Sequence, residues 1–487
     1  MSIARRDAVG GVLAGLALIG VMELAGALGV RTLPDIVQDR LLAATPGAVF
    51  GFLIDTLQHA GKVLEEVGLL VAILVVATLI ALAAAAARRR GLPLAGLVAG
   101  AVVWLLVCLV VYPLTGRGVL GLAGAGWMAP VAWLVAAGVY ALLLEAGDRP
   151  TTADGEGRRR LLWWSGALGL AAVAVTRAPG WLQYATSLPS SVGKRTPAVT
   201  PVSDFYLVSK NFQDPTVAVK GWSLHVGGMV ESSLRLDYAR LEALPSVTRT
   251  VTLECISNPV GGNLMSTGHF TGVQLRELLG RVRPTAGAGA LSFRAHDGYT
   301  ESMDLPLAMS DPDILVAYKL DGRPLPDQHG FPARLIIPGR YGMRGPKWIE
   351  EISLVRSEDG GYWESQGWEP HVEVATTSRI DVPAPDATLH HGTPVELAGV
   401  AFAGIRGIKE VQWSMDGGTT WHPARLTPPL SPLTWVLWTA QWTPTRSGNA
   451  TLAVRAKDGS GAWQTSTVND SFPRGATGYH LVPVSVS

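Results

Sequence analysis

Cys255 is the residue from which redox or metal chemistry can start. It follows an alternating apolar stretch, Val247–Leu253, and precedes Ile256-Ser257-Asn258-Pro259-Val260-Gly261-Gly262. A strand that runs into a glycine-rich loop would expose the sulfur at its end, and the glycines would let backbone approach a bulky ligand. The chain has only one other cysteine, Cys108, which lies in an apolar run, so a disulfide between the two is not expected. A thiol standing alone in a polar domain is buried as structure, reactive or metal-bound.

A second segment runs from Asp321 to Trp348 and is punctuated by proline and glycine: Pro324-Leu325-Pro326-Asp327-Gln328-His329-Gly330-Phe331-Pro332-Ala333-Arg334, then Pro338-Gly339-Arg340 and Arg344-Gly345-Pro346-Lys347-Trp348. Such punctuation predicts turns around one short strand. His329, Arg323, Arg334, Arg340, Arg344 and Lys347 sit in that stiff loop system, and spaced cations on loops suit a phosphate or another anion. A solvated basic surface is the plainer alternative. A third segment, Ser203-Asp204-Phe205-Tyr206 through Lys210-Asn211, opens the polar part of the chain.

The elements that must position these residues are mixed. Trp222–Val226 and Met229-Val230 read as strands around Gly227-Gly228, Val247–Leu253 as another, and Gly272–Leu279 as a helix with apolar residues three and four apart. That is an α+β pattern. After about residue 375 the pattern becomes β alone, with strand-like runs at Val395–Val400, Ile408–Trp413 and Ala450–Ala456, and Asp416-Gly417-Gly418 is suited to a tight hairpin. These features predict an immunoglobulin-like β-sandwich. Trp413, Trp421, Trp435, Trp438, Trp442 and Trp463 are expected to be core or interface anchors.

The first third differs. Mean hydropathy over the whole chain is +0.26 and only 16% of residues are charged, which is the composition of a chain with membrane spans. Apolar runs near 8–29, 67–87, 92–112, 119–144 and 161–177 approach or exceed the roughly 20 residues that cross a bilayer. A further segment, about 41–57, carries Pro46 and Asp55 and reads as interfacial, re-entrant or a surface helix. Arg5-Arg6, Arg88–Arg90 and Arg158–Arg160 fall on one side if five spans alternate, which predicts an inside N-terminus and an extracytoplasmic C-terminal part. Arg158–Arg160 before the last run also resembles an internal twin-arginine export signal. Glu23 lies within the first run, where a carboxylate is a functional hypothesis by default, though it sits near the outer end. The net charge of +1 argues against nucleic acid as a partner. His59 is the one histidine before residue 180 and no Cys-x-x-Cys-His occurs, so no haem is expected on this chain.

Together the three polar segments resemble the molybdopterin domain of the sulfite-oxidase superfamily, which includes sulfite oxidases, plant nitrate reductases and a periplasmic methionine-sulfoxide reductase. Ser414–Trp421 and Val454–Gly461 resemble the same family's dimerisation domain. The resemblance covers about residues 200–487. Together with the apolar first third, read as an all-α transmembrane anchor over 1–180, it implies an α+β molybdopterin domain over 196–374 and an immunoglobulin-like, dimerisation-type domain over 375–487. It further implies that Cys255 ligates molybdenum and that His329, Arg334, Gly345 and Lys347, with Ser203 and Tyr206, hold the pterin and its phosphate. A thiolate suits a metal that cycles between oxidation states.

The departures bear on substrate. Sulfite oxidases follow the cysteine with x-Gly-Asn-Arg-Arg, whereas this chain has Ile256-Ser257-Asn258-Pro259-Val260. Where they carry Arg-Asn-His, it has Val208-Ser209-Lys210 or Ser209-Lys210-Asn211. Lys210, His269, Arg340 or Arg344 would have to compensate. The resulting expectation is two-electron oxygen-atom transfer on a small molecule, with a separate electron carrier, either a cytochrome c or a quinone-linked partner. A sulfoxide reductase is the rival within enzymes, and a cofactor-free assembly module the rival outside them.

Overall fold

The computed structural model describes residues 3–122, 126–147, 155–186, 193–212 and 214–487. The chain divides into two compact units, the first built mainly from Met1–Thr45 and Leu57–Thr186, the second mainly from Ser187–Lys210 and Asp214–Ser487.

The first unit is helical. Its elements are α1 (Ile3–Ala27), α2 (Leu33–Ala44), α3 (Gly47–Arg89), α4 (Ala95–Leu106), a π turn at Val107–Val111 running into α5 (Tyr112–Leu114), α6 (Met128–Gly147) and α7 (Gly155–Thr186). Five stretches are long and apolar enough to cross a membrane by length and composition: Arg5–Ala27, Ala60–Arg89, Ala95–Leu114, Met128–Ala146 and Arg159–Pro179. They coincide with the five apolar runs. The segment read as interfacial is different: it straddles the end of α2 and the start of α3, whose helix continues unbroken into the second span.

Small residues set the helix contacts. A Cβ on Gly169 of α7 would stand 2.1 Å from the Leu16 carbonyl oxygen, and one on Gly20 of α1 would stand 2.4 Å from the Gly169 Cα. Only hydrogen fits, so α1 and α7 pack backbone against backbone. Glu23 has a partner that hydropathy did not reveal. Arg177 of α7 donates from Nε and Nη2 to its two oxygens at 2.6 and 3.0 Å, and from Nη1 to Glu66 of α3 at 2.6 Å. One guanidinium with no exposed side-chain surface therefore ties three helices together.

The second unit begins by laying residues 193–200 onto strands. The Gly193 amide donates to the Asp381 carbonyl, the Thr196 hydroxyl to the Asp381 carboxylate at 2.7 Å, and the Thr200 amide to the Thr267 carbonyl. The chain is thus fastened to the sheets from residue 193 onward, while 187–192 lie outside the described residues.

Its strands are β1 (Leu224–Gly228), β2 (Leu234–Leu236), β3 (Val247–Glu254), β4 (Met265–Gln274), β5 (Ala290–Ala295), β6 (Thr300–Asp304), β7 (Leu315–Leu320), β8 (Arg323–Pro324), β9 (Arg334–Ile336) and β10 (Ile349–Val355). Helices α8 (Tyr238–Glu242), α9 (Leu275–Val282) and α10 (Leu305–Ser310) intervene. One sheet has the order β2-β1-β10-β5-β6, the other β3-β4-β7-β8, with β9 paired to β7. Leu224, Phe293 and Ile352 of the first sheet, Val316 of the second and Leu278 of α9 share a core, which gives the α+β class expected. Two boundaries moved. Residues 272–274 extend β4 and the helix starts at Leu275, because pairing with β7 holds Gly272–Gln274 in the sheet. Met229-Val230 forms no strand: the chain bends after β1, and Val230 makes one isolated antiparallel bridge to Pro284.

Nine further strands follow: β11 (Thr377–Val382), β12 (Ala387–Leu389), β13 (Val395–Phe402), β14 (Ile408–Ser414), β15 (His422–Pro423), β16 (Arg425–Leu426), β17 (Val436–Trp442), β18 (Gly448–Asp458) and β19 (His480–Val486). They form two sheets, β11-β13-β17-β16 and β12-β19-β18-β14-β15. Leu397 and Trp438 from one sheet meet Val411, Leu452 and Val454 from the other in a shared core. Gly417 and Gly418 take positive φ as the turn reading requires, but the loop joining β14 to β15 is longer than a tight hairpin. Trp413, Trp435 and Trp438 are buried anchors, whereas Trp421 and Trp463 clasp the Arg455 guanidinium at 4.2 and 4.3 Å.

Candidate active site

Glu254 is the last residue of β3, and the backbone of Cys255 turns away from the sheet while staying bonded to it through its amide, which donates to the Leu264 carbonyl at 2.9 Å. Asn258 closes the loop: its amide group donates to Glu254 Oε1 at 2.8 Å and its carbonyl oxygen accepts from the Leu264 amide at 2.9 Å. The sulfur is therefore held on a rigid frame. It is buried, not exposed as a bare strand end would suggest, and it lines a cleft that opens to solvent. Gly261 and Gly262 serve packing and do not line the cleft. A Cβ at Gly261 would collide with the His480 ring at 2.2 Å, and one at Gly262 with the Asn258 side chain at 2.5 Å.

The proline- and glycine-punctuated segment supplies the facing wall. His329 ends a short 3-10 turn over Asp327–His329, Arg334 starts β9, and Lys347 follows the turn at Gly342–Arg344. At Gly330, with φ at +106°, the backbone reverses so that Arg334 and Lys347 come together, and a Cβ there would lie 3.0 Å from the Cβ of each. Gly345 lines the same cleft and must be glycine, since a Cβ would sit 2.5 Å from the Leu335 carbonyl oxygen. Tyr206 enters from the opening segment, its amide held by the Ser266 hydroxyl at 3.0 Å.

Six expected site residues, Tyr206, Cys255, His329, Arg334, Gly345 and Lys347, thus share one cleft. Ser203 does not join them. It lies in a 3-10 turn at Val202–Asp204, exposed, with its hydroxyl donating to Asp204 at 3.1 Å. Arg340 and Arg344 also stay out. Arg340 donates to the His371 carbonyl, and Arg344 is bound to Glu301, Glu364 and the Ser302 carbonyl. His269 pairs with the Thr250 hydroxyl across β3 and β4. Lys210 alone of the compensating cations lines the cleft.

Sequence reasoning missed Asp297, Tyr299, Met343, Trp363 and Trp368, which complete the wall. Tyr299 donates to the Met343 carbonyl at 2.5 Å, which fixes the ring against the Gly342–Arg344 turn. Trp363 and Trp368 come from a segment with no chemical signature of its own.

The electrostatics suit an anion. Burial drives His329 down to about 3, with Arg334 and Lys347 adding to the shift, so the imidazole is neutral. Burial also lowers Arg334 to about 10 and lowers Lys347. His329 Nε2 and Arg334 Nε are closed off from solvent with no hydrogen-bond partner. Orphaned polar atoms on a buried neutral imidazole and a buried guanidinium are unusual and costly, and a bound anion or heterocycle would satisfy each. Burial likewise pushes the Cys255 thiol up, against a smaller opposing contribution from the Ser257 hydroxyl 3.1 Å away. A bound metal cation would reverse that by displacing the proton. The residues present fit a metal-bearing cofactor with a polar, anionic tail.

Comparison with known proteins agrees with that chemistry. Residues 211–363 match the family described as the oxidoreductase molybdopterin binding domain, and residues 369–479 match the Mo-co oxidoreductase dimerisation domain. Mitochondrial sulfite oxidase of Macaca fascicularis is 28% identical over 309 residues, 53% of this chain and 55% of that protein. An NADH nitrate reductase of Volvox carteri is 32% identical over 257 residues, 41% of this chain and 30% of that protein. The chain spans about half the length of the curated sulfite oxidases it matches. Among solved structures, the sulfane dehydrogenase SoxCD of Paracoccus pantotrophus superposes with a TM-score of 0.54 at 22% identity, covering 61% of this chain and 83% of that one, which is a likeness of fold.

Proposed function

This chain belongs to the sulfite-oxidase superfamily of molybdopterin-dependent oxidoreductases, and from that premise we propose that it is a membrane-anchored enzyme performing two-electron oxygen-atom transfer outside the cytoplasmic membrane. The observation that carries the reading is the convergence of the Cys255 sulfur with the unpartnered His329 Nε2 and Arg334 Nε on one cleft.

When bound, the molybdenum–pterin group supplies the oxygen-atom and electron chemistry. The chain's own residues do the rest. Cys255 gives a thiolate ligand at the end of β3, and the Ser257 hydroxyl donates to that sulfur. Arg334 and Lys347 take the phosphate, with the neutral His329 ring and the backbone at Gly345 bordering the pterin. Tyr206 closes the cleft beside them, and Ser203 has no part in it. Trp363, Trp368 and Tyr299 form an apolar wall that limits water.

The same wall bears on substrate. Sulfite is an anion and a buried site must offset its desolvation with fixed cations. The cleft outside the cofactor cradle holds Lys210, whose charge is already met by Asp297. An uncharged substrate such as a sulfoxide fits that balance better, which favours the reductive direction. Electrons then come singly from a separate carrier, a cytochrome c or a quinone-linked partner. The two-sheet C-terminal unit is read as immunoglobulin-like and as a homodimerisation surface, and the five apolar helices as the anchor.

Purified full-length protein tests the proposal: elemental analysis for molybdenum, fluorescence of the oxidised pterin, and turnover of sulfite, dimethyl sulfoxide and methionine sulfoxide with artificial electron carriers. About one molybdenum and one pterin per chain are expected, with sulfoxides turned over better than sulfite. Protein free of both would overturn the reading in favour of an assembly module, and efficient sulfite oxidation would overturn the substrate assignment.

A further inference from the structure

We propose that Asp304, Glu358 and His371 form a binding site for a divalent transition-metal cation, Zn²⁺ by its donor set, which fastens the aromatic wall of the cleft to the end of β6. The site stands apart from the cofactor cradle and uses none of its residues.

Residues 356–373 leave β10 and form no strand before β11, with one 3-10 turn at Glu364–Gln366. This segment carries Trp363 and Trp368 into the cleft. Glu358 lies near its start and His371 near its end, and the two meet, His371 Nε2 standing 3.1 Å from Glu358 Oε2. Asp304, the last residue of β6, brings a third donor, and one ligand atom from each of the three lies within 4.8 Å of the others. Arg340 steadies the far end by donating to the His371 carbonyl at 2.7 Å.

The cluster suits a cation. Asp304 and Glu358 bring two carboxylates to one place, with the His371 ring beside them. Glu358 Oε1 is sealed from solvent and has no hydrogen-bond partner, although 17% of the side chain stays exposed. A sealed carboxylate oxygen without a donor is costly.

The surrounding charge does not relieve it. Beyond His371, Arg344 is the cation that acts on Glu358, and its guanidinium is already bound by Glu364, Glu301 and the Ser302 carbonyl. Asp304, Glu358 and Glu364 therefore share one guanidinium and the His371 imidazole. One imidazole and two carboxylates, with room for water on the exposed His371 side, match the ligands and open position of a four-coordinate zinc site. Ligand atoms in such a site are roughly 3.3–3.6 Å apart, from bonds of about 2.0–2.2 Å. The His371–Glu358 pair is already that close, and the Asp304 ligand atom lies within 4.8 Å of both.

The test uses full-length holoenzyme cleared of loose metal by a chelator and titrated with Zn²⁺, read by calorimetry and by zinc retained after desalting. The expected result is one tightly held zinc per chain beyond the molybdenum, and a rise in the thermal midpoint on adding it. Glu358→Gln and His371→Ala should each weaken binding by about tenfold or more and abolish the thermal rise, with molybdenum content unchanged. Glu358→Gln is isosteric and His371 lies at the surface, so at least one variant keeps the fold. Failure to retain zinc at about 100 µM, well above the range of structural sites, would overturn the proposal. So would retention that survives both substitutions.

Discussion

Lys210 and Asp297 neutralise each other on the wall of the cleft, where the Lys210 ammonium lies 3.7 Å from Asp297 Oδ2 and donates to the Asp297 carbonyl at 3.1 Å. Both side chains are buried. A substrate anion would have to compete with Asp297 for that charge. Asp297→Asn leaves an oxygen able to accept from the Tyr299 amide, as Oδ1 does now at 3.0 Å, and removes the competing charge. A unit charge at such range is worth on the order of 1–4 kcal/mol between water and a protein surface. Steady-state kinetics should show the KM for sulfite falling by about tenfold or more, with the KM for dimethyl sulfoxide little changed. Equal effects on both substrates would remove Lys210 from the account.

Ser257→Ala tests the sulfur environment. The Ser257 hydroxyl lies 3.1 Å from the Cys255 sulfur and drains charge from it. Hydrogen bonds to a ligating sulfur favour the reduced metal. Loss of this one should make the molybdenum couple more negative in a redox titration followed by electron paramagnetic resonance. Molybdenum content should not change. An unaltered potential would mean that the hydroxyl points elsewhere once the metal is bound.

Much of the cradle was legible because its residues lie in two contiguous segments. The Cys255 loop and the His329–Lys347 turns are each shaped locally, by Asn258 in one and by Gly330 in the other. Lys210 and Asp297 meet across 87 residues, and Arg177 and Glu23 across 154. No local pattern announces such pairs. Ser203 stays outside the cleft for a local reason: it lies in a single 3-10 turn, exposed, with its hydroxyl bonded to Asp204. The early start given to the helix at Gly272 arose because residues 272–274 satisfy a helical apolar spacing while the sheet claims their backbone. The five apolar runs were legible outright, whereas the glycine contacts that pack them became visible only in three dimensions.

Glu301 gives the catalytic unit a pH dependence. Burial raises its carboxyl from 4.5 to about 8, with Glu364 and Glu358 adding to the shift and Arg344 opposing it. The folded state therefore holds a proton that the unfolded chain has released. Stability falls as pH climbs from about 4.5 to about 8 and is level outside that window. Glu301→Gln should flatten the trend. Thermal midpoints taken in chelator at about pH 5, 6.5 and 8.5 check it. A wild type that gains on the variant as pH rises would reverse the sign.

The proposed sidedness rests on Arg88–Arg90 and Arg158–Arg160. Reporter fusions made after Arg90 and after Gly180 are expected to read opposite compartments, the second outside. Two cytoplasmic readings would refute the extracytoplasmic placement of the catalytic unit, and with it the export reading of Arg158–Arg160.

Direct ligation of molybdenum by the Cys255 sulfur is the centre of the account, and X-ray absorption at the molybdenum edge measures it most directly. Purified wild type and Cys255→Ser are compared after both are shown to hold the metal. The account predicts one fewer sulfur neighbour around molybdenum in the variant, together with loss of turnover, because a serine hydroxyl of similar size is a poor ligand for a soft redox metal. An unchanged sulfur count with activity retained would contradict it.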